Sequence, residues 1–81
     1  MNNEELFALF REVVQSIEKR PLEDVTPDSV IADLGIDSLG MMEIVGELES
    51  RLDVMIPDDQ LVKLRTVADL LGVVQKRLEA R

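Results

Sequence analysis

The chain contains no cysteine and no histidine. Without cysteine it can form no disulfide framework, no thiolate zinc site and no cysteine nucleophile. Without histidine it lacks the commonest general base and cannot form a Ser-His-Asp arrangement. We therefore expect a protein that is not an enzyme by itself, and we predict no metal site.

Aromatic residues are almost absent, since Phe7 and Phe10 are the only two among 81 residues. The hydrophobic core must therefore be aliphatic. Hydrophobic residues make up 46% of the chain and charged residues 32%, which is typical of a folded protein rather than a disordered one. The length suits one small core, so we predict a single domain over residues 1–81.

Basic residues are scarce: 9 Lys and Arg stand against 17 Asp and Glu, for a net charge of −8. This balance argues against nucleic acid as a partner and favours a protein with a basic surface. No apolar run approaches the roughly 20 residues of a membrane span. The N-terminus also lacks the basic and apolar segments of an export signal, so we expect a cytoplasmic protein.

The acidic residues are concentrated in the middle of the chain. From Glu23 to Asp59 there are eleven acids and one base, Arg51, which gives this stretch a charge of −10. We therefore expect the middle of the chain to bind the partner.

The apolar residues follow helical periods, and no segment alternates with the period of a strand. The first helix is predicted from about Asn3 to Lys19, where Pro21 closes it. The connection from Leu22 to Ile36 is long for a helical protein. It is predicted to fold on itself, with Thr26-Pro27 as a helix start and four apolar residues directed at the core: Val25, Val30, Ile31 and Leu34.

Three further helices are predicted. One runs from Ser38 to Leu52 with Asp37 as its N-cap, and a short one follows Pro57 to about Leu64. The last begins at Thr66, which has capping-box spacing to Asp69. The fold class is therefore all-α: a small antiparallel bundle of three main helices and one short helix, with a long loop between the first and second helices.

The helix from Ser38 to Leu52 has two distinct faces at about 100° per residue. The core face contains Met41, Ile44, Val45, Leu48 and Leu52. A neighbouring arc mixes apolar and acidic side chains and contains Leu39, Met42, Glu43, Gly46, Glu49 and Ser50. This arc is either an ordinary solvated surface or a docking face for a basic, hydrophobic partner.

Ser38 begins this helix in the segment Asp33-Leu34-Gly35-Ile36-Asp37-Ser38-Leu39. A hydroxyl at this position is accessible, and the unpaired N–H groups of a helix start favour an attached phosphate. The alternative is that Ser38 is only a second capping residue.

The stretch from Asp33 to Val74 resembles the acyl carrier protein family, in particular its D-S-L signature for phosphopantetheine attachment. The resemblance includes the turn before Ser38, the Ile56-Pro57-Asp58 segment and the Thr66-Val67-Ala68-Asp69-Leu70 segment. It implies that a phosphopantetheinyl transferase attaches 4′-phosphopantetheine from coenzyme A to Ser38. The thiol of this group would hold acyl intermediates as thioesters for fatty-acid or polyketide-type biosynthesis.

The resemblance also implies two sets of functional residues. The partner-binding set is Asp37, Leu39, Gly40, Met42, Glu43, Gly46, Glu47, Glu49 and Ser50. The set that would line a channel for the acyl chain is Met41, Ile44, Val45, Ile56 and Leu61. The implied partners are acyl or malonyl transferases, ketosynthases and related enzymes with basic docking surfaces, and the chain itself is expected to be a monomer.

Three residues depart from the pattern that is frequent in fatty-acid carriers. Gly40 stands where an acid is common, Gly46 where a larger apolar residue is common, and Ile36 where alanine is common. A carrier for polyketide or other specialised acyl chemistry is therefore as consistent with the sequence as a fatty-acid carrier. Two alternatives remain: an aminoacyl carrier of the D-alanyl or peptidyl type, and an unmodified acidic helical adaptor.

Overall fold

Four α-helices and one 3₁₀ helix account for the helical structure of residues 1–80, the part of the chain that the computed structural model describes. In chain order the elements are α1 (Asn3–Glu18), the 3₁₀ helix (Ile31–Leu34), α2 (Ser38–Leu52), α3 (Asp58–Leu61) and α4 (Val67–Ala80). Helix α1 packs against both α2 and α4. The predicted all-α bundle of three main helices and one short helix is confirmed.

The core is formed by the apolar stripes of the three long helices. It is aliphatic except for Phe10, which is fully buried. The other large side chains with almost no exposure come from all three helices: Leu6, Ile44, Leu48 and Leu70. The helical periodicity of the sequence therefore identified the buried faces correctly.

Helix α1 ends one residue earlier than predicted and for a different reason. Lys19 adopts the left-handed conformation, with φ of 57°, and its N–H donates to the carbonyl of Gln15. The helix thus stops at a left-handed cap, before the chain reaches Pro21.

The prediction of a helix start at Thr26-Pro27 is wrong. The Thr26 N–H donates to Ser29 Oγ over 2.9 Å, and the Ser29 N–H donates to the Thr26 carbonyl over 3.0 Å, which makes this segment a closed turn. The helical part of the loop begins later, at Ile31. Val25 is buried, and the half-buried Ile31 and Leu34 pack against the core, as predicted. Val30 is half-buried and is not among the residues that pack there.

Hydrogen bonds attach the long loop to the start of α4. An isolated antiparallel bridge joins Val30 to Thr66. The Ile31 N–H donates to the Arg65 carbonyl over 2.9 Å, and the Val67 N–H donates to the Ser29 carbonyl over 3.0 Å. The loop therefore lies against the α3–α4 connection, close to the start of α2.

Helix α3 is shorter than predicted, because it ends at Leu61 rather than near Leu64. The chain turns after Leu61, and the Leu64 N–H donates to the Leu61 carbonyl over 3.3 Å. This turn leaves Val62 exposed and returns Leu64 to the edge of the core.

Candidate functional site

Ser38 is the first residue of α2, and it is exposed. Gly35 reverses the chain before it with φ of +73°, a conformation that strains residues with a side chain. Asp37 is the N-cap, because its Oδ1 accepts a hydrogen bond from the Gly40 N–H over 2.7 Å. The predicted cap and the predicted bounds of this helix are both confirmed.

The start of α2 offers free hydrogen-bond donors beside the Ser38 hydroxyl. Asp37 uses its side chain for the N–H of Gly40 and its carbonyl for the N–H of Met41. In the described part of the chain, the N–H groups of Ser38 and Leu39 have no hydrogen-bond acceptor. Such a helix start favours an attached anion, so the local chemistry fits a phosphate ester on Ser38.

Two pockets meet at Ser38. The first has a volume of about 280 Å³ and is mainly apolar, with a lining of Ile31, Ser38, Met41, Met42, Leu61, Val62 and Leu64. The second has a volume of about 310 Å³ and includes Arg65 together with Ile31, Ile36, Asp37, Ser38, Met41 and Leu64. Both pockets are mainly apolar, and the second also contains the charged residues Asp37 and Arg65. A flexible substituent on the hydroxyl therefore has both pockets within reach.

The structure brings only part of the predicted channel set to the apolar pocket. Met41 and Leu61 line it, as predicted from the resemblance. The other three residues of the set are buried in the packed core and do not line it: Ile44, Val45 and Ile56. The sequence prediction missed Ile31 and Leu64 as lining residues, because the bridge to the long loop and the turn after α3 bring them there.

The predicted partner-binding arc is largely on the surface. Leu39 is 70% exposed and Met42 is 53% exposed, so α2 presents two large apolar side chains to solvent on this arc. The exposed arc comprises Leu39, Met42, Glu43, Gly46 and Ser50. Val62 is 82% exposed and lines the same apolar pocket as Met42, so it extends the apolar surface beyond α2. Periodicity could not identify Val62, because it lies in a turn.

Gly40 is the exception within the predicted partner-binding set, because it is buried. A Cβ atom at this position would lie 2.9 Å from Glu18 Oε2, 3.1 Å from Asp37 Oδ1 and 3.2 Å from Ile36 Cγ2. The residue faces the end of α1 and offers a partner no surface in this conformation. Close packing against these neighbouring atoms therefore explains why glycine occupies this position.

Two of the predicted docking carboxylates are engaged within the protein. Glu47 Oε1 accepts from Arg51 Nε over 2.9 Å, and Arg51 also contacts Glu12 Oε1 on α1 at 3.3 Å. The hydrogen bond with Glu47 is the main cause that raises the pKa of Arg51 above its ordinary value. Glu49 Oε2 accepts from the N–H of Ile56 over 2.7 Å. Of the acids on this helix, Glu43 remains exposed and without such a contact.

Comparison with known proteins identifies relatives along most of the chain. The profile of the family described as "Phosphopantetheine attachment site" matches residues 8–74. The meromycolate extension acyl carrier protein of Mycolicibacterium smegmatis is 40% identical over 90% of this chain and 75% of its own length. An acyl carrier protein of Thermobifida fusca is 44% identical over 80% of this chain and 84% of its own length.

A solved structure matches the fold of most of the chain. The crystal structure of an acyl carrier protein from Thermotoga maritima superposes with a TM-score of 0.88 and 31% sequence identity. The match covers 95% of this chain and 91% of the other. The helical arrangement of this chain is therefore shared with the Thermotoga maritima protein.

Proposed function

Because the chain belongs to the acyl carrier protein family, and is a carrier that bears phosphopantetheine, we propose that Ser38 is the residue to which the group is attached. The observation that carries this assignment is the exposed hydroxyl at the start of α2, beside two N–H groups without acceptors. Once bound, 4′-phosphopantetheine supplies a terminal thiol that holds acyl groups as thioesters. This supplies the thiol that a chain without cysteine lacks.

The attachment itself depends on another enzyme. The carboxylate of the preceding residue, Asp37, accepts from the Gly40 N–H as the helix cap, so it is not placed to act as a base. The chain has no histidine to take that role. A phosphopantetheinyl transferase must therefore activate the hydroxyl, and the carrier performs no turnover alone.

The cargo that we propose is an acyl chain rather than an aminoacyl group. The apolar pocket beside Ser38 has a mainly aliphatic lining, including Met41 and Leu61, which favours a hydrocarbon over a charged amine. The name of the relative from Mycolicibacterium smegmatis, a meromycolate extension acyl carrier protein, agrees with an extending chain. An octanoyl-loaded carrier should unfold at higher urea concentration than the same carrier loaded with glycine; equal midpoints would contradict this assignment.

The exposed arc is the proposed docking surface for the enzymes that load and process the cargo. Leu39 and Met42 offer apolar contacts, and Glu43 offers a charge that attracts a basic patch. Such charges mainly accelerate association and fix orientation. The partners are therefore the transferase and acyl-processing enzymes with basic surfaces.

Intact mass measurement tests the attachment site. The wild-type chain, Ser38→Ala and Ser16→Ala are each incubated with coenzyme A and a transferase of broad specificity. Ser16 is the control, because it is an exposed serine of α1 that lies outside the proposed docking surface. Wild type and Ser16→Ala should gain one phosphopantetheine, and Ser38→Ala should gain none. Modification of Ser38→Ala would refute the assignment, and partner binding without any modification would favour the adaptor.

A further inference from the structure

Arg65 lies on the second pocket together with Ser38. Both residues line this pocket of about 310 Å³, although they are separated by the whole of α2 and α3 in the sequence. The Arg65 backbone is fixed on both sides: its N–H donates to Asp69 Oδ2 over 3.1 Å, and its carbonyl accepts from the Ile31 N–H over 2.9 Å. The position of Arg65 relative to the long loop and to α4 is therefore set by the fold.

The Arg65 guanidinium is chemically available. In residues 1–80 it makes no hydrogen bond or ion pair, whereas every other described arginine donates to a carbonyl or a carboxylate: Arg11 to Leu22, Arg20 to Leu34, Arg51 to Glu47 and Arg77 to Met55. The nearby Asp69 carboxylate is already occupied as acceptor of the Thr66 and Arg65 N–H groups. Arg65 and the Asp69 carboxylate attract each other, which helps to lower the pKa of Asp69, but they form no ion pair in residues 1–80. The exposed guanidinium can therefore still bind an anion.

The surroundings of Ser38 are acidic, so a nearby cation would stabilise a phosphate attached to this residue. Ser38 lies in the stretch of net charge −10, and the cap Asp37 precedes it directly. A phosphodiester on Ser38 adds another negative charge at this place, where neighbouring carboxylates repel it. The helix start compensates part of this repulsion through its two free N–H groups. Arg65 is the cationic side chain that lines a pocket shared with Ser38.

We propose that the Arg65 guanidinium binds the phosphodiester on Ser38 and thereby holds the first part of the prosthetic arm at the second pocket. This inference rests on the proposed attachment at Ser38. The planar guanidinium can donate two parallel N–H bonds to two phosphate oxygens, which fixes orientation as well as charge. Arg65 is thus a positioning residue for the arm, and the apolar pocket remains open to the cargo.

Phosphorus and arginine NMR of the holo protein test the contact directly. The wild-type chain, Arg65→Gln and Lys63→Gln are converted with coenzyme A and a transferase, and each product is verified by intact mass. Lys63 is the matched control, because it is an exposed cation two residues away that lines a different pocket. We expect wild type and Lys63→Gln to share one ³¹P chemical shift. Arg65→Gln should move this shift toward that of urea-unfolded holo protein.

A second measurement needs no substitution. Conversion of the wild-type apo protein to the holo protein should move the Nε–H signal of Arg65 and leave that of Arg77, at the other end of α4, in place. An unmoved Arg65 signal, or an Arg65→Gln phosphorus shift equal to that of wild type, would overturn the inference while the mass gain still supported Ser38. Absence of a mass gain in wild type, or a gain in Ser38→Ala, would instead reject the attachment site.

Discussion

Glu49 accepts a hydrogen bond from the backbone N–H of Ile56, and the Oε2 and N atoms are 2.7 Å apart. Glu49 lies near the end of α2, and Ile56 is buried in the connection to α3. Helix geometry places Glu49 on the docking arc. Its carboxylate nevertheless binds the α2–α3 connection, which leads to the apolar pocket. Its neighbour Glu43 has no such contact and remains available to a partner.

This difference predicts opposite roles for the two carboxylates. Glu49→Ala should lower the free energy of unfolding by about 1.5–3 kcal/mol, because it removes a charged acceptor from a part-buried N–H. The matched substitution Glu43→Ala should change it by less than about 0.5 kcal/mol. Urea denaturation of both variants measures the difference. Equal stabilities of the two variants would show that the bond to Ile56 contributes nothing.

Glu43→Lys should slow association with a basic partner without unfolding the carrier. The substitution replaces an exposed attractive charge on the docking arc with a repulsive one. Glu23→Lys is the control, since it changes the net charge equally at an exposed site outside α2. Stopped-flow measurement with the transferase should show the larger decrease in association rate for Glu43→Lys, and the difference should shrink at high salt. A decrease of the same size in both variants would indicate an effect of net charge alone.

Leu48 and Leu39 provide a pair of leucines on the same helix with opposite environments. Leu48 is 1% exposed, whereas Leu39 is largely exposed. Leu48→Ala should therefore lower the free energy of unfolding by about 2–5 kcal/mol through lost burial and a cavity. Leu39→Ala should cost less than about 0.5 kcal/mol. Chemical denaturation measures both, and a loss below about 1 kcal/mol for Leu48→Ala would contradict the packing described here.

The glycines of α2 should respond differently to alanine. A Cβ at Gly46 meets no atom within 4 Å, so Gly46→Ala should raise the free energy of unfolding by about 0.5–1 kcal/mol through helix propensity. At Gly40 the same gain is opposed by a contact of 2.9 Å with Glu18 Oε2 and by crowding of the Asp37 cap. Gly40→Ala should therefore stabilise less than Gly46→Ala, or destabilise. Thermal unfolding of both variants tests this order; equal stabilisation would refute it.

The Asp69 carboxylate predicts a pH-dependent contribution to stability. Hydrogen bonds from the Thr66 and Arg65 N–H groups hold the pKa of Asp69 below its ordinary value of 3.8. Because the charged form is favoured in the folded state, the contribution is complete at pH values well above this ordinary pKa and is lost as pH falls through the lower pKa of the folded state. Asp69→Asn should therefore be less stable than wild type at neutral pH, and this difference should disappear in acid.

The control for this pH dependence is Asp28→Asn. Asp28 is exposed, and its side chain makes no hydrogen bond in the described part of the chain. At neutral pH, the urea midpoint of Asp28→Asn should lie closer to that of wild type than the midpoint of Asp69→Asn does, and the midpoints of the two variants should converge in acid. If Asp69→Asn were less stable than wild type by the same amount in acid as at neutral pH, the cause would be the amide side chain at the start of α4 rather than the lost charge.

Local features of the sequence predicted much of the fold. The 3.6-residue period of Leu6 and Phe10 in α1, and of Leu70 and Val74 in α4, marked residues that are fully buried. The predicted caps Asp37 and Thr66 hold the N–H groups three residues later, because such capping is confined to one turn of the chain. Family resemblance then added the cofactor, which periodicity could not supply.

Contacts between distant segments could not be predicted in the same way. The predicted helix start at Thr26-Pro27 is replaced by a turn whose Pro27 and Ser29 carbonyls accept from the N–H groups of Ala68 and Val67 at the start of α4. Helix α3 ends early, at Leu61, and the turn that follows it places Leu64 against the core formed by the long helices. Neither outcome is visible in the local pattern, because competing local structures differ little in energy until tertiary packing selects one.

By itself, the sequence determined the helical periodicity, the caps, the acidic middle of the chain and the serine at the start of α2. Only the tertiary structure decided which residues surround that serine. Ile31 and Arg65 reach it because backbone hydrogen bonds join the long loop to the start of α4, and such pairing depends on chain segments more than 30 residues apart. Gly40 and Glu49 likewise belong to internal contacts, because the positions of α1 and of the α2–α3 connection place Glu18 and Ile56 beside them.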